Sequence, residues 1–184
     1  MSGHSHAKTV KRTKELGDKK RGQVFSKMAK VISIAAREGG ADPDVNSRLR
    51  TAIETAKKWN LPSDNIERAI KKGTGELAGE KLEEFLFESY GPGGVAIIIE
   101  GITDNKNRSL GEIKQTLNQY GGKLVGEGGA RWLFERKTGG QGSLEWVAKQ
   151  DMEVPEKDKE NLQKLFEALD ENDSVQEIYS NLKP

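Results

Sequence analysis

The chain contains no cysteine among its 184 residues. A disulfide framework and a thiolate metal site are therefore excluded, and secretion gains no support. Histidine is nearly as scarce: His4 and His6 are the only two, and none follows them. The later serines thus have no imidazole partner, and the carboxylates are scattered over helix faces, so no nucleophilic or general-base constellation is present. An enzyme built on Asp, Glu and Lys alone is the one catalytic option left, and a structural role for those charges is the stronger reading. His4 and His6 form a His-x-His pair with no third ligand nearby, so a polar terminus is expected rather than a metal site. Neither a cofactor nor a small-molecule substrate is implied. Long apolar runs are missing as well: nothing approaches membrane-spanning length, and MSGHSHAKTV has no signal-peptide core. The expected setting is the cytoplasm, with no membrane partner.

What the chain does have is charge, unevenly spread. The formal net of +1 hides 17 basic and 8 acidic residues before Gly75, against 13 and 21 from there on, so the halves carry +9 and −8. Within Lys8–Lys30 nine cations (Lys8, Lys11, Arg12, Lys14, Lys19, Lys20, Arg21, Lys27 and Lys30) face Glu15 and Asp18, a local net of +7. A polyanion is the natural partner of such a segment, and nucleic acid fits it better than a membrane surface.

The basic half reads as an arm followed by helices. Lys8–Lys14 shows no apolar period and is expected to order only on a charged surface. From Asp18, Val24, Phe25, Met28, Val31, Ile32 and Ala35 recur at helical spacing, which predicts a helix over about 18–38 stopped by Gly39-Gly40. Lys19, Lys20, Lys27 and Lys30 are placed largely off that stripe. DPDVNSRLR opens a second helix with Leu49, Ala52, Ile53 and Ala56 inward and Arg48, Arg50, Lys57 and Lys58 elsewhere. Asn60-Leu61-Pro62 ends it. Ser63 is expected to cap a third helix with Ile66, Ala69 and Ile70 as its apolar face, Lys71 and Lys72 in its last turn and Gly73 as its C-cap. Three short amphipathic helices bury a common core only as a small bundle. Asn46, Gln23 and Arg50 have the chemistry to read bases but are not distinguishable from ordinary surface residues at this stage.

The acidic half reads as strands and helices. EFLFESY, a GPGG turn and the apolar run Val95–Ile99 predict a hairpin; GPGG lacks the Gly-Lys-Ser/Thr ending of a phosphate loop. Thr103-Asp104-Asn105 caps a helix bearing Leu110, Ile113, Leu117 and Tyr120. ARWLFE at 130–135 and residues 144–154 are read as strands joined by Thr138–Gly142. Pro155 is read as starting a helix with Leu162, Leu165, Phe166 and Leu169, before a last strand at Val175–Tyr179. From Val95 the order is strand, helix, strand, strand, helix, strand, the ferredoxin-like split βαβ plan, with 84–90 added. The fold class is therefore α+β: a basic three-helix bundle in domain 1–75, then a ferredoxin-like α/β sandwich in domain 76–184.

The segments KRGQVFSKMAKVISIAAREGGADPDVNSRLRTAIETAKKWNLPSDNIERAIKKGTGEL, ESYGPGGVAIIIEGITDNKNRSLGEIKQTLNQYGGKL and VQEIYSNL closely resemble the YebC/PmpR family. Its members are described as DNA-binding transcriptional regulators, and it includes the mitochondrial translational activator of cytochrome oxidase. The combination of NIERAIKKGTG, YGPGG and TDNKNRS makes the resemblance specific, and it covers most of the chain. It implies a basic helical domain with α/β domains behind it, in a cytoplasmic protein that binds DNA. On the translation-factor view of the family, the target is ribosomal RNA and the protein relieves ribosomes stalled on proline-rich stretches. Two departures stand out. His6-Ala7 occupies the place of a Lys-Trp pair common in members, and after Lys137 the short loop 138–143 replaces a further α/β domain.

The leading expectation is that Lys8, Lys11, Arg12, Lys14, Lys19, Lys20, Arg21, Lys27 and Lys30, helped by Arg48, Arg50, Lys71 and Lys72, lie along a phosphate backbone. The partner is then duplex DNA or ribosomal RNA, with the ribosome as a further expected partner. Few aromatics sit among these cations, which argues against single-strand stacking as the main mode. A protein-interaction adaptor docking through the acidic half is a third reading, and an enzyme is the weakest.

Overall fold

The structure, a computed structural model, describes residues 17–184 apart from the side chain of Gln141. His4, His6 and the Lys8–Lys14 arm lie outside the described residues. The chain divides into two compact units, one ending at Glu83 and the other spanning Glu84–Pro184.

The first unit is helical: α1 is Asp18–Gly39, α2 Ser47–Lys58 and α3 Ser63–Thr74. Ile32, Ala35 and Ala36 of α1 pack with Leu49 and Ala56 of α2, Leu61, and Ile66 and Ala69 of α3. Ile32 and Leu49 are fully buried, and each such side chain contributes about 2 kcal/mol of apolar transfer. Asn46 joins α1 to α2. Its side-chain oxygen accepts from the Leu49 N–H at 3.0 Å, while its amide donates to the carbonyls of Ala35 at 2.8 Å and Gly40 at 2.9 Å. Asn46 is thus a buried helix cap, and its predicted candidacy as a base reader is withdrawn because both ends of the amide are committed.

Helix α3 differs from expectation at both ends. Ser63 is its first residue, and the carbonyl of Pro62 accepts from the Asn65 and Ile66 N–H groups. At the other end Gly75, in the left-handed conformation, takes the C-cap, and Gly73 lies within the helix. The reason is a close helix crossing. A Cβ on Gly73 would stand 2.2 Å from the Ser33 carbonyl oxygen and 3.0 Å from the Ala36 methyl. The Ser33 hydroxyl donates to the Ala69 carbonyl at 2.7 Å across the same crossing.

The second unit is α/β. Its strands are β1 Glu83–Tyr90, β2 Ala96–Thr103, β3 Lys123–Val125, β4 Phe134–Thr138, β5 Leu144–Ala148 and β6 Val175–Ser180; its helices are α4 Lys106–Gln119 and α5 Glu156–Asp170. Asn105 caps α4 by accepting from the Arg108 N–H, and Pro155 precedes α5 as its cap rather than starting it. Four strands form a sheet in the order β3-β1-β2-β6, and β4 and β5 form a separate pair. The chain is therefore α+β, a helical unit followed by an α/β unit. The strand allocation is corrected: the strand expected at 130–135 is a single helical turn, Arg131–Leu133, leading into β4, the one expected over 144–154 ends at Ala148, and β3 was not anticipated. Residues 84–90 are not an addition at the margin: β1 fills the gap straddled by β2–α4–β3, the short β3 takes the edge, and β4–β5 leaves the sheet. The cause lies in β2, whose run Ala96–Ile99 is fully buried. Alternate residues of a strand face opposite ways, so Val95, Ile97 and Ile99 pack on Ile113 and Leu117 of α4 and on Leu162, Leu165 and Leu169 of α5. Ala96 and Ile98 need cover on the other side, and Phe134 and Trp146 of the hairpin supply it.

Candidate nucleic-acid interface

In the helical unit, Lys19, Lys20 and Arg21 stand exposed in succession in the first turn of α1. The unsatisfied N–H groups of a helix start add about half a positive charge there, so this end is positive twice over. Asp18 is the nearby counter-charge, 3.8 Å from Arg21 across a solvent-exposed pair that salt screens.

The remaining predicted cations divide. Lys27 is 4% exposed and Lys30 half-buried, and both make further interactions. The expectation that Lys27 lies off the apolar stripe is corrected: it falls three residues after Val24 and four before Val31, on the buried side of the helix. Arg48 is exposed and pairs with Glu38, and Arg50 donates to the carbonyls of Pro43 at 3.1 Å and Asp44 at 3.4 Å. Lys71 and Lys72 are exposed at the end of α3. Lys8, Lys11, Arg12 and Lys14 lie outside the described residues.

The nine predicted cations that lie among the described residues therefore do not form one patch. Asn46 and Gly73 fasten the start of α2 and the end of α3 to the C-terminal part of α1, so Arg48, Arg50, Lys71 and Lys72 gather near that end. At 1.5 Å of rise per residue, Lys20 is roughly 24 Å along α1 from the level of Ala36. Lys57, Lys58 and Arg68 are further exposed cations of the same unit that the predicted set omits.

In the α/β unit the polar features are of another kind. Glu88 of β1, 2% exposed, accepts from the N–H groups of Gly128 at 2.8 Å, Ala130 at 2.8 Å and Arg131 at 2.7 Å. Burial pushes its carboxyl up, but these donors and the Arg131 guanidinium together hold it below the ordinary value. Glu100 of β2 accepts from the Trp146 indole at 2.8 Å and from Arg136 at 2.9 Å, while the Arg136 guanidinium lies 4.3 Å over the Trp146 ring. Burial raises the Glu100 carboxyl despite these two partners. Both carboxylates fasten loops and strands to the sheet. Sequence reading passed over them, although the alternation Leu86, Glu88, Tyr90 places Glu88 on an inward-facing side. Among the described residues, no group of three or more His, Asp or Glu is placed to hold a metal ion, and no helix is long and apolar enough to cross a membrane.

A model of the TACO1/YebC protein N-terminal domain matches residues 5–76, and a model of the TACO1/YebC second and third domains matches residues 82–139 and 140–182. The chain belongs to the TACO1/YebC family. Among similar members is a protein of Desulfatibacillum aliphaticivorans described as a "Probable transcriptional regulatory protein", 56% identical over 137 residues, which are 74% of this chain. That match spans 56% of the relative's own length. Another relative, from Thermoanaerobacter pseudethanolicus and described in the same terms, is 37% identical over 239 positions covering 100% of this chain and 97% of its own. Those 239 positions exceed the 184 residues here by 55, so the relative carries residues this TACO1/YebC chain lacks. The break in the family match, between 139 and 140, falls in the turn between β4 and β5. A crystal structure of a conserved hypothetical protein from Aquifex aeolicus superposes with a TM-score of 0.86 at 33% identity, covering 95% of both chains.

Proposed function

We propose that this TACO1/YebC member is a non-catalytic, nucleic-acid-binding regulator of transcription that acts in the cytoplasm and docks its helical unit on the phosphate backbone of duplex DNA. The observation that carries the reading is the run Lys19-Lys20-Arg21, exposed at the positive end of α1. Three adjacent cations at that helix end are disfavoured by the dipole, and an anionic ligand turns the same arrangement into a binding feature. The descriptions of its relatives as transcriptional regulatory proteins support the same reading. Phosphate contacts of this type set position and register and carry no sequence information.

Equilibrium binding of the full chain to a labelled DNA duplex, followed across about 50–200 mM salt, tests the reading. If Lys19, Lys20, Arg21, Arg50, Lys71 and Lys72 each meet a phosphate, log affinity falls against log salt with a slope of roughly −5. Absence of binding, or a slope near zero, overturns it.

A further inference from the structure

The connection between α2 and α3 makes a sharp reversal. Only residues 59–62 separate Ser47–Lys58 from Ser63–Thr74. Asn60 sits there at a φ of 60°, the one non-glycine residue with a positive φ among the described residues, and asparagine is one of the few side chains that takes the left-handed conformation readily. Hydrogen bonds fasten both ends of the turn. The Asn60 and Leu61 N–H groups donate to the Lys57 and Ala56 carbonyls, each at 3.0 Å, and the Ile66 N–H donates to the Pro62 carbonyl at 3.2 Å. Buried Leu61 joins Ala56 of α2 to Ile66 and Ala69 of α3 in the core. Two helices joined by so short a turn and packed on a third form a helix-turn-helix, whose second helix is the one presented to a duplex groove.

The exposed side of α3 carries the chemistry for that role. Ile66, Ala69 and Gly73 turn inward, and Asp64, Arg68 and Lys71, spaced by four and three residues, form an exposed stripe on the other side, flanked by Glu67 and Lys72. Other side chains able to read bases are committed elsewhere: Asn46 is a buried cap, Arg48 pairs with Glu38, and Arg50 donates to the Pro43 and Asp44 carbonyls. The Arg68 side chain makes no hydrogen bond or ion pair among the described residues, so its donors are available. The stripe is also mixed in sign. Asp64 and Glu67 would repel a phosphate backbone laid across them, whereas base edges in the major groove present amino donors as well as acceptors. The arginine fork matches the O6 and N7 acceptors of guanine.

We propose that α3 is the recognition helix of the helical unit and that Arg68 reads guanine in the major groove of duplex DNA, with Lys71 and Lys72 of the last turn against the flanking phosphates. This rests on the duplex reading above and adds sequence selectivity, which phosphate contacts do not supply. The test selects duplexes from a randomised pool with the full chain, then measures affinity and salt slope on the enriched sequence for wild type, Arg68→Ala, Arg68→Lys and Lys71→Ala. The expected wild-type result is a sequence with a fixed guanine, favoured about tenfold or more over other bases at that position. Arg68→Ala loses this preference while still melting and binding duplex as a folded chain, and Arg68→Lys, which keeps the charge without the fork, retains only part of it. Lys71→Ala keeps the preference and lowers the salt slope by about 0.9. Duplex binding with no base preference overturns this inference and leaves the phosphate reading standing. So does a guanine preference that survives Arg68→Ala. If the wild-type chain binds no duplex at all, the parent reading fails along with this one.

Discussion

Replacing Lys19, Lys20 and Arg21 together by Ala separates a binding role from a structural one. All three side chains are exposed in the first turn of α1, outside the core of Ile32, Leu49 and Ala69. Their removal therefore changes stability by no more than about ±0.5 kcal/mol per site. The sign is also informative, because cations at the start of a helix oppose its dipole and Ala is the better helix former. The thermal midpoint of the triple variant should stay level or rise. Binding should move the other way: each lost phosphate contact removes about 0.9 from the salt slope, so three contacts bring a slope near −5 to about −2. The assay is fluorescence anisotropy of a labelled duplex at several salt concentrations, paired with a thermal melt of the same preparations. A triple variant that keeps both its affinity and its slope would refute the placement of phosphate on this turn. One that loses binding only because its melting temperature collapses would refute the claim that these side chains are dispensable to the fold.

The other predictions concern the scaffold. Gly73→Ala should destabilise the helical unit by roughly 3 kcal/mol, because its methyl would lie 2.2 Å from the Ser33 carbonyl oxygen and force α3 away from α1; chemical denaturation of the full chain reads this. Asn46→Ala should lose about 2 kcal/mol, since it removes the cap of α2 and the two bonds its amide donates to the Ala35 and Gly40 carbonyls, and Asn46→Asp should recover only the capping part. For Glu88 the folded-state pKa is held below its ordinary value of 4.5, so the charge contributes stability above that value and loses it as pH falls through the folded pKa. Wild type should therefore exceed Glu88→Gln at neutral pH, with the gap closing below about pH 4 in acid melts. Glu100 is pushed the opposite way, and Glu100→Gln should show no such closing gap.

Local signals carried much of this architecture, and non-local ones account for what they missed. The span of α1 was legible because a 3.6-residue apolar period runs into Gly39-Gly40, and the observed helix is Asp18–Gly39. The apolar run of β2 and the stripe of α5 were equally plain, since long uninterrupted patterns survive any packing arrangement. Lys27 was misplaced because a stripe read only from apolar residues passes over a lysine whose aliphatic stem can be buried. Gly73 and Gly75 look interchangeable as helix terminators until the Ser33 carbonyl, forty residues earlier in the chain, decides between them. β4 and β5 were recognisable as strands, but their pairing partners depend on which face of β2 lacks cover. In the candidate interface, the abundance of cations was legible and their use was not. The Arg48 pair with Glu38 and the Arg50 bonds to Pro43 and Asp44 arise only once the α1–α2 connection is folded. Trp132 was read within a strand at 130–135, whereas the single-turn helix 131–133 turns it outward.

Whether the helical unit engages DNA to regulate transcription, as proposed, is decided by the identity of the nucleic acid it holds in cells. Crosslinking the tagged full chain in its native cells, fractionating the lysate on sucrose gradients with and without nuclease, and sequencing what is attached gives that identity. The expected result is discrete duplex DNA segments near promoters, released when Lys19, Lys20 and Arg21 are replaced by Ala. Co-migration with ribosomal particles and crosslinks confined to ribosomal RNA would contradict it and make the protein a translation factor.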